Sequence, residues 1–369
     1  MFAPPTSTVV PSAADIVIVG GGIAGVSLAA ELGGRARVVV LEAEGAFFRH
    51  TSSRSAQQVQ PSYGPPPVRR LTSTTLGLLR DLDAGADSPV LSPRILYVIS
   101  LVERAATPGQ RVATPAEVEA AFPALLPGIV HSVTADDEAS EVRVDGLLQR
   151  YARTAQAHGV EFVSGARVTA VSRAGSGYRL ETAAGAITAP IVVNAAGAWA
   201  DELAALAGAA RRGLSPMRRS VILATPTGTP VGADWPMIYD AAGTVYFRPR
   251  GADILASPLE DEPSEPEDAH PRGDVVARTL DRVNALTSFG LAAAHESWTG
   301  LRTVSPDDLP VIGFDGEHSG FYWLAGQGGY GIQTSAAIAA LAAADVLGEE
   351  LALAPDDRLA FRELSPNRF

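Results

Sequence analysis

The sequence predicts an α/β protein, and three observations carry that prediction. The apolar run Ile16–Val19 breaks directly into Gly20-x-Gly22-x-x-Gly25 ahead of a helix-compatible stretch. A second apolar strand, Arg37 to Leu41, ends in Glu42. Strand and small-residue-turn signatures of the same kind recur in the middle and near the end of the chain, separated by stretches richer in strand patterns. Together they describe a Rossmann-like dinucleotide-binding domain interleaved with a smaller mixed α+β substrate domain built on an antiparallel sheet.

The elements follow in chain order. Gly20 permits the tight turn, Gly22 lets backbone approach a pyrophosphate, and Gly25 lets the helix opened by Ile23 and Ala24 pack close to the sheet, with phosphates at the helix N-terminus. Glu42 stands where an acidic side chain takes the hydroxyls of an adenosine ribose. The polar segment His50-Thr51-Ser52-Ser53-Arg54-Ser55-Ala56 follows this strand, where hydroxyls and N–H groups can reach a pyrophosphate. Asp145 to His158 carries Leu147, Leu148 and Tyr151 at helical spacing, and Glu161–Val163 reads as a strand. The stretch from Ala186 runs as a strand into Asn194-Ala195-Ala196-Gly197-Ala198-Trp199, whose small residues suit a turn that must approach a cofactor. Near the end come the strand Phe321–Ala325, a glycine cluster with Gly328, Gly329 and Gly331, and an Ala-rich helix from Gln333 to Leu347.

Nucleotide-domain pieces are therefore expected at 13–86, 144–211 and 295–350. A substrate domain is expected at 87–143 and 212–294, with strands at Ser220 to Ala224 and Thr244 to Arg248. The acidic, Pro-rich stretch from Leu259 to Asp268 reads as an exposed, solvated connection, and Met1 to Ser12 as a short disordered tail.

Composition removes several function classes. At 369 residues and 46% hydrophobic content the chain can bury a substantial core. A formal net charge of -12 repels nucleic acid and anionic membrane surfaces. No apolar run reaches the length of a membrane span, and no basic and apolar leader is present, so the cytoplasm is the expected location. With no cysteine, thiolate catalysis, iron–sulfur clusters and cysteinyl flavin links are excluded, and no metal site is expected. Lysine is absent too, all 29 Lys+Arg residues being arginine, which forbids a lysine Schiff base.

In order and spacing, the glycine fingerprint with Glu42, the His50 to Ala56 segment, Val193 to Trp199, Trp298-Thr299-Gly300-Leu301-Arg302 and Gly326 to Ser335 resemble a known family. It is the D-amino-acid oxidase and glycine/sarcosine oxidase superfamily of FAD flavoproteins, and within it most closely the D-arginine dehydrogenase type. The resemblance implies FAD, held non-covalently with His50 as a contact and Val168 on the adenine side. It also implies that Ala195, Ala196, Gly197 and Trp199 lie along the cofactor. Gly328, Gly329 and Gly331 would lie against the isoalloxazine, with Ile332, Gln333 and Thr334 at a helix N-terminus whose partial positive charge stabilises the reduced flavin. By the same resemblance Arg302 and Arg219 clamp a substrate carboxylate, Tyr246 points toward it, and Tyr63 closes the pocket. Tyr239 and Met237 would line the side-chain space, although core packing also suits Met237.

Two positions depart from the D-arginine dehydrogenase pattern. Counted without gaps, the acid that receives a basic substrate side chain falls on Leu96, and the active-site histidine on Gln58. A guanidinium against Leu96 would lack a charge partner, so a neutral or apolar D-amino acid is the expected substrate, oxidised to an imine and then a 2-oxo acid. The lysine that speeds reaction with oxygen in sarcosine-type oxidases has no counterpart here, which favours a dehydrogenase passing electrons to a quinone or other acceptor. The alternatives are an oxidase of glycine, sarcosine or a cyclic secondary amino acid, and a flavoprotein that binds without turnover. The sequence does not report oligomeric state.

Overall fold

The computed structural model describes residues 7–106, 108–350 and 353–369. Its first sheet has six strands, in the spatial order Val311–Phe314, Phe321–Ala325, Ile191–Asn194, Ile16–Val19, Val38–Leu41 and Glu161–Val163. All neighbours pair parallel except the first two, which form an antiparallel hairpin. The central strands Ile16–Val19 and Val38–Leu41 are buried at every position, as a parallel sheet covered on both faces requires. The helices Ile23–Leu32, Val144–Ala157 and Ser335–Leu347 pack on one face. A three-stranded antiparallel sheet spanning Val168 to Ala189 and the helix Ala200–Leu206 cover the other. Val19, Leu41, Asn194 and Ala325 are the carboxyl ends of neighbouring parallel strands, and the loops that leave them converge on one edge, where open α/β sheets bind ligands.

The second sheet has nine strands and is antiparallel except for the pair Leu96–Ser100 and Met237–Asp240. Its residues alternate between two apolar layers. Tyr97, Ile99, Ile222, Ile238 and Phe247 pack with Phe122, Phe289 and the helix Gly273–Leu286, whereas Leu96, Val221, Met237, Tyr246 and Leu255 pack on the opposite face. This is the period-2 alternation of a strand.

Several expectations need correction. Glu296–Val304 pairs along its whole length with Ser215–Ala224, so the antiparallel sheet claims a strand that a boundary at 295 assigned to the nucleotide domain. Ser7 to Ser12 is not a free tail: Ser7 N–H donates to Phe162 O (2.9 Å), Thr188 N–H donates to Ser12 O (3.0 Å), and Val10 is buried. The rest of the expected tail, residues 1–6, lies outside the described residues. The strand expected from Thr244 begins at Tyr246, because Asp240 accepts from the Thr244 hydroxyl and closes a turn there. The C-terminal helix begins at Ser335, leaving Gln333 and Thr334 in the turn before it. Among the described residues no helix is long and apolar enough to cross a membrane.

Candidate active site

Two cavities meet at the carboxyl edge of the parallel sheet and share Gly22, Thr51, Ser52, Ala195 and Gly197 in their walls, so they form one continuous trough. Counting their open mouths they enclose about 1070 and 1280 Å³.

The first half is built around the glycine turn. Gly20 has φ +118°, and a Cβ there would stand 2.2 Å from Ala195 O, so only glycine lets the turn lie against the neighbouring strand end. Gly25 faces the Gly20 carbonyl rather than the trough. Glu42 is nearly buried; its Oε2 accepts from Gly21 N–H (2.7 Å) and its Oε1 from Glu44 N–H (2.8 Å). Burial pushes this carboxyl's pKa up, opposed by those two N–H groups and by His50. Glu42 thus holds the phosphate turn in shape while facing the trough. His50, Val168, Ala196 and Trp199 line this half only. The His50 ring lies 5.0 Å from that of Trp199, its Nε2 is 3.2 Å from Glu44 Oε1, and its buried Nδ1 has no hydrogen-bond partner.

The polar segment after His50 divides its tasks. Ser52 Oγ accepts from Ile23 N–H (2.9 Å) at the helix N-terminus. The Thr51 hydroxyl donates to Leu301 O (2.9 Å) and accepts from Leu301 N–H (3.1 Å), joining the nucleotide loop to the strand that carries Arg302. Ser53 lies outside both cavities, its hydroxyl donating to His50 O (3.1 Å). Ser55 and Ala56 line the second half.

That second half has two guanidinium groups in its wall. The sheet register pairs Met217 with Arg302 and Arg219 with Gly300, which puts both arginines on one face as diagonal neighbours. Arg302 Nη1 donates to the Tyr63 hydroxyl (3.4 Å). A Cβ on Gly329 would come within 2.9 Å of the Arg302 guanidinium carbon, so this glycine makes room for the charge. Arg219 is buried, with Nε donating to Glu260 O (2.7 Å); its nearest carboxylate is exposed Asp261 at 3.5 Å. Burial, and then the Arg302 charge, lower its pKa. The Tyr246 hydroxyl is buried with no partner. Gly328, Gly331, Ile332 and Gln333 complete the wall, the Gln333 amide donating to Thr72 Oγ1 (3.0 Å).

Two expected residues lie elsewhere. Thr334 is buried and donates its hydroxyl to Tyr330 O (2.8 Å), so it shapes the turn and does not face the trough. Leu96 does not line the arginine cavity: it is buried beside Met237, its register partner, and meets an adjoining chamber instead. Gln58 does line the cavity, its Nε2 donating to Arg94 O (2.9 Å) while its buried Oε1 has no donor.

The acidic stretch is also corrected. Leu259, with φ 57°, lines the cavity, Glu260 Oε1 accepts from Ser220 Oγ (2.6 Å), and Asp268 binds Arg54 and Arg49 (3.1 Å). Its acids face Arg49 and Arg54 of the His50 loop and Arg218 and Arg219 of the antiparallel sheet, so it lies over the site as a strap. Sequence reading missed Leu259, Gln60 and Val221, which also line the cavity. The strand pattern at 220–224 was a usable signal for Val221, whereas nothing local marked Leu259 or Gln60.

A parallel sheet with a glycine turn and buried acid, joined to an antiparallel sheet bearing a two-arginine wall, defines a two-sheet flavoprotein oxidoreductase. The chain belongs to the DAO family, FAD dependent oxidoreductase, whose model matches residues 15–344, and FAD is its cofactor. It is 26% identical over 410 residues to FAD-dependent oxidoreductase domain-containing protein 1 of Bos taurus, covering 93% of this chain and 83% of that protein. It is 29% identical over 198 residues to hydrogen cyanide synthase subunit HcnC of Pseudomonas aeruginosa, covering 52% of this chain and only 45% of that one, less than half its length. The fold is shared with glycine oxidase from Geobacillus kaustophilus, at TM-score 0.85 and 22% identity, covering 97% of this chain and 100% of that one. L-proline dehydrogenase from P. horikoshii gives 0.82 and 19%, covering 98% of each. The trough fits the cofactor: an acid and an aromatic ring at one end, a helix N-terminus midway, and a glycine cluster beside the arginines at the other.

Proposed function

We propose that the protein oxidises the α-carbon of a D-amino acid with a neutral or apolar side chain, giving an imine that water converts to a 2-oxo acid. The observation that carries this is the pair Arg219 and Arg302 beside the unpartnered Tyr246 hydroxyl. Two like charges in a sheltered wall with no buried carboxylate between them are costly until an anion arrives. A substrate carboxylate meets that need, and the planar fork of Arg302 fixes the orientation of the bond to the α-carbon. FAD, when bound, supplies the hydride acceptor. Tyr63 holds Arg302 through Nη1, and Gln58 Oε1 accepts an N–H of the substrate amine. The two-arginine wall is what supports likeness to the D-arginine dehydrogenase pocket.

Met237, Val221, Leu259 and the ring of Tyr239 form an apolar collar, and among the described residues no Asp or Glu lines this cavity. A cationic tail would lose its water there without gaining a partner. With no lysine in the chain to assist oxygen, electrons pass to a quinone or other carrier. Confinement of His50 to the adenosine half supports non-covalent FAD.

Anaerobic mixing with D- and L-amino acids, glycine and sarcosine, followed by flavin absorbance, tests this reading. Neutral D-amino acids should bleach the flavin faster than D-arginine or D-lysine, and acid precipitation should release FAD into the supernatant. Preference for D-arginine, or reduction by L-amino acids alone, would sink it. Peroxide formed stoichiometrically with product would favour the oxidase alternative.

A further inference from the structure

The arginine cavity adjoins a second chamber, lined by Leu96 and Val98, and the two share Gln60, Tyr63 and Tyr239 in their walls. The chamber's polar lining differs sharply from the collar in how its hydrogen bonds are spent. Ser62 Oγ accepts from Gln110 Nε2 (3.3 Å), Gln110 Oε1 accepts from Thr134 Oγ1 (2.7 Å), Ser132 donates to Val102 O (3.0 Å), and Ser100 Oγ accepts from Val102 N–H (3.3 Å). The uncharged groups are therefore largely occupied by one another and by backbone.

Two charged residues line the chamber, Arg69 and Arg104. Arg69 Nη1 donates to Pro108 O (3.1 Å) and Arg104 Nη1 to Ala241 O, so each spends one end of its fork on backbone. Among the described residues neither has a carboxylate within salt-bridge distance, and no Asp or Glu lines the chamber. The nearby acid Asp136 is buried and turned to backbone, accepting from Ser62 N–H (2.9 Å) and Glu138 N–H (3.2 Å). What the chamber has left over is positive charge and hydrogen-bond donors.

We propose that this chamber binds the distal carboxylate of the substrate, making the preferred long substrates amino acids with a second carboxylate. The inference rests on the proposed amino-acid oxidation and extends it. Short neutral side chains end at the apolar collar, whereas a chain long enough to pass Tyr239 ends beside Arg69 and Arg104, where an anion is matched, an amide is matched in part, and a cation is repelled. The same chemistry can hang from the side chain or from the amine nitrogen.

The test uses the FAD-loaded enzyme and substrates paired by shape. D-glutamate is compared with D-glutamine and D-2-aminoadipate with its δ-amide for the side-chain arm, and N-(2-carboxyethyl)glycine with its amide for the nitrogen arm. In at least one arm the second-order constant for anaerobic flavin reduction should favour the carboxylate by about tenfold. Arg69→Gln and Arg104→Gln should each shrink that ratio while leaving reduction by D-alanine unchanged, and Arg104→Lys should restore part of it. In parallel, binding of glutarate and of butyrate is followed through the flavin spectrum, glutarate being expected to bind more tightly only while the arginines are present. A ratio near one in every arm, or an equal fall for D-alanine in the Gln variants, overturns the chamber assignment. Arginine-dependent glutarate preference with no amine reducing the flavin upholds the chamber and overturns the oxidation instead.

Discussion

Arg302 is useful because its surroundings are small: Gly329 leaves the space its guanidinium occupies, and Gly300, in register with Arg219, lets the His50 loop pack on the strand at Thr51 and Arg54. Arg302→Lys keeps the charge and loses the fork. Each charge-assisted hydrogen bond is worth about 1.5–3 kcal/mol, so kcat/KM should fall roughly 10- to 150-fold, with FAD retained at wild-type stoichiometry. Equal loss of FAD would make Arg302 a structural residue. Tyr246 poses the opposite case, a buried hydroxyl with nothing to bond. Tyr246→Phe removes that unmet group, so Tm in the absence of substrate should hold or rise while substrate binding weakens about tenfold. A lowered Tm with unchanged binding would show that the hydroxyl serves the fold and not the ligand.

Among the elements, the strap 259–268 links the halves of the site, because Glu260 O fixes Arg219 while Asp268 holds Arg54 behind the His50 loop. The Arg54 bond, with further help from Arg49 and His50, outweighs burial and holds the Asp268 carboxyl below the usual range. Its contribution is therefore present above the unfolded value near pH 3.9 and disappears as pH falls through the lower folded value. Asp268→Asn should cost about 1–3 kcal/mol at pH 7 and less at pH 3, measured by urea denaturation; a loss independent of pH would assign the effect to packing. Elements whose signal is local were legible in the sequence, namely the glycine turn, Glu42 and Phe321–Ala325, whereas Arg302 and Arg219 came from the family resemblance and their places inside the strands Glu296–Val304 and Ser215–Ala224 did not. The strap was not, because Pro and acid density describe solvated loops, and although Glu262 pairs with nearby Arg272, the contacts that fix it over the site come from arginines 40 or more residues away in sequence, such as Arg219 for Glu260. Leu96 was misplaced for a related reason: counting fixes a position along a strand but not which of two neighbouring cavities its side chain meets.

Across the molecule, the chain leaves the nucleotide sheet after Asn194 and enters the antiparallel sheet at Ser215. Two carboxylates clasp the crossing: Asp201 accepts from the N–H groups of Arg212 and Leu214 (2.9 Å each), and Asp315 holds the Arg212 side chain. Asp315 Oδ2 accepts from Arg212 Nη2 (2.7 Å) and Trp323 Nε1 (3.0 Å), and Oδ1 from the N–H groups of Glu317 and His318 (3.0 Å each). Burial alone would raise this carboxyl's pKa, but the Trp323 and backbone donors and the Arg212 charge outweigh it and hold it at about 2. Because the folded value lies below the unfolded value of about 3.9, the clasp contributes fully above pH 4 and is lost as pH falls through about 2. Asp315→Ala leaves Arg212 half-buried and unpaired, so unfolding free energy at pH 7 should drop by about 3–5 kcal/mol. The wild-type protein should lose stability between pH 4 and pH 2 more steeply than the variant, and the two curves should converge at the acid end. Denaturant melts of both proteins across that range check this, and parallel curves would mean that the Asp315 carboxylate does not help join the two sheets.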